Sequence, residues 1–214
     1  MSEDGRRRPL WLVVTVAIVG GLLLGPADLL AQRTLPYPWA NLANSSAVWA
    51  IGAWGMGAWV GTGRWRPAVA GVLLLSVAVE SYHLAATLAH NDAVANLWSP
   101  TTAVWLSFAV IAGVVFGTAG GWSRGGVGWP RLVGVALPGA VLLAEAAVLW
   151  YRSGGGDAAY RTDSLQTAGI EAVLGVLLSL ALGRTARQRL GGLAASIPLA
   201  AIGFGGFLLA QFGR

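Results

Sequence analysis

A chain of 214 residues that is 56% hydrophobic and only 11% charged has too little polar surface to wrap a soluble core, so an ordinary soluble domain is excluded. Its net charge of +5 is carried by arginines scattered through short loops rather than gathered on one face, which argues against a nucleic-acid partner. With no cysteine there are no disulfides, thiol nucleophiles, iron–sulfur clusters or thiolate-bound zinc, and two histidines are too few for a histidine-rich metal or haem site.

Apolar runs of about 17 to 23 residues recur along the chain, the length a helix needs to cross roughly 30 Å of hydrocarbon. The fold class expected is therefore an all-α integral membrane protein of about seven transmembrane helices, with six as the alternative. All basic residues are arginine beside 31 glycines, a bias that fits a GC-rich bacterial genome and carries no mechanism. Residues 1–9, with Arg6-Arg7-Arg8, read as a cytoplasmic basic leader, and residues 10–211 as one transmembrane helical domain.

The first span is Leu10 to Ala31, interrupted late by Gly25-Pro26 near Asp28. Its apolar run exceeds the 7 to 15 residues of a cleavable signal, roughly, and so reads as a retained signal-anchor helix, with cleavage near Ala31 as the alternative. Gln32 to Ser45, carrying Pro36 and Pro38, reads as an ordered interfacial loop that dips back toward the membrane. Asn44-Ser45-Ser46 fits a glycosylation sequon and equally a helix N-cap, and the cap is the favoured reading. The second span runs from Ser46 to Thr62, the third from Ala68 to Ala89, the fourth from Thr101 to Trp122 and the fifth from Leu132 to Tyr151. Arg152 to Gln166 reads as the longest polar loop, followed by a sixth span, Thr167 to Gly183, and a seventh, Leu193 to Gln211, whose Pro198 and glycines would suit a short or partly re-entrant helix.

With the N-terminus inside, the inner segments hold ten arginines, from Arg6 to Arg189, and the outer ones four: Arg33, Arg152, Arg161 and Arg214. That asymmetry favours an N-in, C-out orientation in the cell inner (plasma) membrane.

Ala47-Val48-Trp49 with Gly57 and Gly61 recurs 56 positions later as Ala103-Val104-Trp105 with Gly113 and Gly117. Arg66 precedes Glu80 by fourteen residues, as Arg131 precedes Glu145. The pattern reads as a parallel repeat of two helical hairpins, 46–89 and 101–151, with chance in an Ala/Gly/Val/Trp-rich chain as the alternative. Small-residue ladders, Ala17-x3-Gly21-x3-Gly25 and Ala53-x3-Gly57-x3-Gly61, are expected to pack the chain's own bundle.

Carboxylates inside apolar spans are costly and mark candidate sites. Glu80 and Glu145 each lie roughly 20 Å from the inner end of their spans, Glu171 about one turn into the sixth and Asp28 near the outer end of the first. His83 shares a face with Glu80, and Tyr82, Trp49 and Trp105 map to the same outer half. The candidate ligand-binding set is Glu80, His83, Tyr82, Glu145, Glu171, Trp49 and Trp105, forming an outward-open pocket between the third, fifth and sixth spans. Carboxylates beside aromatic faces suit a small cationic solute. Interfacial aromatic belts, an interhelical hydrogen bond of Glu80 with Tyr82 or His83, and a first-turn role for Glu171 explain the same residues without a ligand. No catalytic, metal or cofactor motif is present. The partners expected are the lipid bilayer, a small-molecule ligand and a membrane partner subunit.

The blocks Leu42-Ala-Asn44-Ser-Ser-Ala-Val-Trp49, Glu80-Ser-Tyr82, Trp105 through Phe116-Gly117-Thr-Ala-Gly-Gly, Ala144-Glu145 and Ile170-Glu171-Ala-Val-Leu-Gly175, closing on Gly183-Arg184, together resemble an uncharacterised family of bacterial multi-pass membrane proteins, a domain of unknown function. The resemblance covers most of residues 10 to 210. It implies a compact helical membrane domain and carries no functional residues. A weaker, architectural likeness is to the substrate-binding subunits of energy-coupling-factor vitamin transporters, from which the odd span count departs. The leading reading is a small-solute binding or transport protein; the alternative is a structural or regulatory membrane subunit whose carboxylates are internal staples.

Overall fold

The computed structural model describes residues 8–61, 63–90 and 92–210, without the side chain of His90. The basic leader up to Arg7 and the C-terminal residues that include Arg214 lie outside the described residues. Eight helices follow in order: α1 (Leu10–Thr34), α2 (Trp39–Ala43), α3 (Ser46–Val60), α4 (Arg66–His90), α5 (Pro100–Gly125), α6 (Trp129–Arg152), α7 (Ala158–Ala181) and α8 (Ala186–Leu209). No strand occurs among the described residues.

Six of these helices, α1 and α4 to α8, are long and apolar enough to cross a membrane, so the protein is an all-α, multi-pass membrane protein. The expected seventh falls short. α3 has 15 residues, about 22 Å of helix against about 30 Å of hydrocarbon. It stops because Gly61 takes φ 79°, a left-handed conformation that glycine adopts at little cost and that ends the run before the predicted Thr62.

Other boundaries shift for local reasons. α1 continues through Pro26 to Thr34 instead of breaking at Gly25-Pro26. The predicted polar loop 152–166 is mostly helix: Asp157 accepts from Tyr160 N at 2.8 Å, capping α7 nine residues before the apolar run begins. Hydropathy marks where a helix meets lipid, and a capped helix can extend beyond it. α8 runs unbroken through Pro198 for 24 residues and so is not short.

α1 packs on α4 and α4 on α5, while α3 fills the angle between α4, α5 and α6, and α6 carries α7 and α8. Both small-residue ladders pack inside the bundle. A Cβ on Gly25 would strike Ala78 O and Ser81 Oγ, so α1 lies against α4 with backbone nearly touching backbone; Ser81 Oγ donates to Gly21 O at 2.9 Å across the same seam. Gly57 of α3 meets Gly117 of α5 in the same way. The buried cluster of Val13, Ala17, Ala53, Met56, Leu75 and Val79 lies among α1, α3 and α4.

The proposed repeat is uneven in three dimensions. Its second helices match, 25 residues in α4 and 24 in α6, but its first do not, 15 in α3 against 26 in α5. Gly61 terminates α3, whereas its counterpart Gly117 lies inside α5, pressed on Pro67 O.

Candidate ligand site

The site is organised by the start of α3. After α1 the chain turns at Leu35 to Pro38, forms the short α2 and returns into the bundle, where Asn41 Nδ2 donates to Thr167 Oγ1 of α7 at 3.1 Å and Ser45 is only 2% exposed. The segment read as a loop from Gln32 to Ser45 thus includes the end of α1 and the short α2. α3 therefore begins inside the protein, level with Glu145, which stands seven residues or about 10 Å before the end of α6. The first N–H groups of a helix have no partners within it, and at membrane depth water cannot be relied on to supply them.

Glu145 supplies them from α6. Its Oε2 accepts from Ser45 Oγ at 2.8 Å and Ala47 N at 2.8 Å, and its Oε1 from Ser46 N at 3.2 Å. Ser45 adds the ordinary N-cap, accepting from Ala47 N at 3.1 Å, which favours the cap reading of Asn44-Ser45-Ser46. A carboxylate at a helix N-terminus also meets the positive end of the dipole. Glu171 of α7, 1% exposed, stands beside Glu145 and Ser45.

On the other side of the α3 start lies a cavity of about 210 Å³ between α1, α3, α4 and α5. Trp49, Tyr82, Trp105 and Phe108 form its aromatic walls, and Asp28, Asn44, Ser46 and His83 bring polar groups to it. Asp28 is 7% exposed; its Oδ2 accepts from Gln32 Nε2 at 2.8 Å, while its Oδ1 is buried without a hydrogen-bond partner. Trp49 stands beside that carboxylate and Tyr82 beside Gln32. His83 meets Tyr82 edge to face at 5.6 Å and lies 3.3 Å from Thr102 Oγ1 through Nε2. Because the Thr102 hydroxyl donates to Asn96 O, His83 Nε2 is the donor in that contact, leaving Nδ1 as an acceptor.

Of the seven sequence-derived candidates, four meet at this cavity: Trp49, Trp105, Tyr82 and His83. Glu145 and Glu171 meet each other at the α3 start, outside its lining. Glu80 joins neither group. It is half-buried, makes no hydrogen bond or ion pair among the described residues, and is absent from the cavity lining although its neighbours on α4, Val79, Tyr82 and His83, belong to it. Glu80 and Glu145 do not meet, and the cavity lies between α1, α3, α4 and α5 rather than between the third, fifth and sixth spans. Asp28 is the residue that sequence reasoning left out of the site. Its signal was a lone carboxylate in the first span, and what concealed its role was the inward return of α3, which brings Trp49 beside it. No group of three or more metal-ligating side chains occurs among the described residues.

No curated protein and no solved structure matches the chain. Residues 4–211 match a family of unknown function, DUF6518, consistent with the resemblance carried by the ordered blocks from Leu42 to Arg184. A helical membrane chain matched over nearly its whole length thus belongs to the DUF6518 family.

Proposed function

We propose that this protein binds a small organic cation, such as an ammonium or guanidinium ion, in the cavity between α1, α3, α4 and α5, as a carrier or substrate-binding protein of the bacterial plasma membrane. The observation that carries the reading is Asp28, a buried carboxylate in the lining of a cavity walled by Trp49, Tyr82 and Trp105, with no arginine in that lining to neutralise it. An unpaired charge in such surroundings is expensive, and a cation would offset that cost through charge pairing and cation–π attraction together. At about 210 Å³ the cavity is smaller than the roughly 300 to 1,000 Å³ of drug-sized pockets, which favours a ligand of few heavy atoms. His83 and Asn44 would select among cations by hydrogen bonding.

A structural reading is favoured for one residue only. Glu145, with three donors on its two oxygens, is a staple for α3 rather than a ligand group. Thermal unfolding in detergent tests the binding reading: choline or tetramethylammonium chloride should raise the melting temperature saturably over equal sodium chloride, and Asp28→Asn should abolish the rise. No rise with any ammonium or guanidinium ion, or an equal rise with the neutral isostere 3,3-dimethylbutanol, would contradict it.

A further inference from the structure

The Glu145–Glu171 pair is a second polar centre, distinct from the cavity. Glu145 is fully engaged as an acceptor of three donors. Glu171 differs: it is 1% exposed, and its Oε2 is buried without a hydrogen-bond partner although Glu145 and Ser45 are its neighbours. Two carboxylates side by side in a helical membrane core, with no counter-charge, repel each other and lose hydration together.

No counter-charge is at hand. α2 and α3 contain no titratable side chain. On α6 the nearest basic group, Arg152, is about two turns beyond Glu145, and on α7 the basic Arg161 is nearly three turns before Glu171, with the acidic Asp163 between them. Arg187 and Arg189 of α8 sit at that helix's start, and Arg124 of α5 at that helix's end. Neither glutamate forms an ion pair among the described residues.

We infer that Glu171 carries a proton at Oε2, so that Glu145 and Glu171 together form a buried proton-binding site that holds one negative charge instead of two. The assignment within the pair follows from the donors. Glu145 faces Ser46 N, Ala47 N and Ser45 Oγ, all of which favour a negative acceptor, whereas Glu171 has an oxygen that only a proton or a cation would satisfy. A proton on that oxygen removes one of two neighbouring buried charges.

Infrared difference spectroscopy tests the site without any solute, and so independently of the cavity reading. The wild-type protein at neutral pH should show a carboxylic C=O stretch that shifts in deuterated buffer and disappears in Glu171→Gln. That variant should fold with an unchanged or higher melting temperature, because the amide reproduces the shape and the neutrality of the protonated acid. Three outcomes would overturn the proposal: wild-type and Glu171→Gln spectra that differ only in carboxylate bands, loss of the C=O stretch when sodium replaces potassium at equal ionic strength, or failure of Glu171→Gln to fold.

Discussion

At its C-terminal end α3 meets α5 backbone to backbone, Gly57 against Gly117 and Gly120 against Trp54, whereas its N-terminal end meets α6 through the Glu145 carboxylate and opens onto the cavity. The first end leaves no room for a side chain, let alone a solute. The second replaces close packing by hydrogen bonds to a helix terminus that would otherwise be unsatisfied, and beside it space remains for a ligand. Small residues fasten a short helix at one end so that its other end can be polar.

The two ends should respond differently to substitution. The largest effect is expected at the packed end. Gly57→Leu would drive a side chain into the Gly117 carbonyl, costing more than about 3 kcal/mol and abolishing monodisperse behaviour in size-exclusion chromatography. At the polar end, Glu145→Gln should lower stability by about 1–3 kcal/mol, read from thermal unfolding, because an amide NH2 would face the Ser46 or Ala47 N–H donors. Trp105→Leu removes a partly exposed cavity wall; it should weaken binding of tetramethylammonium by about fivefold, roughly 1 kcal/mol, with little change in melting temperature. Glu80→Gln, remote from both ends of α3, should change stability by no more than about 0.5 kcal/mol and leave binding intact in the same titration. A large loss of binding in Glu80→Gln would contradict its place outside the cavity lining.

What was legible in the sequence follows from what is local. Long apolar runs announce membrane helices because each run meets lipid along its own length. The 56-residue spacing of Trp49 and Trp105 pointed to two residues that do share one cavity. The matched spacing of Glu80 and Glu145 had no such outcome, since depth along a helix says nothing about the direction of the side chain. The role of Glu145 was hidden because its partner, Ser45, is 100 positions away and becomes a partner only when α2 brings the chain back into the bundle. Asp28 was obscured by the same return. The extended start of α7 was missed because Arg161 to Gln166, apart from Leu165, are polar and hide the helix that Asp157 caps.

The most direct test of the central claim is equilibrium binding of radiolabelled tetramethylammonium to detergent-purified wild type and Asp28→Asn. The account predicts saturable binding at one site per chain in the wild type, and at least about a tenfold loss, more than 1.4 kcal/mol, when the Asp28 charge is removed. Equal affinity in the two proteins would contradict it.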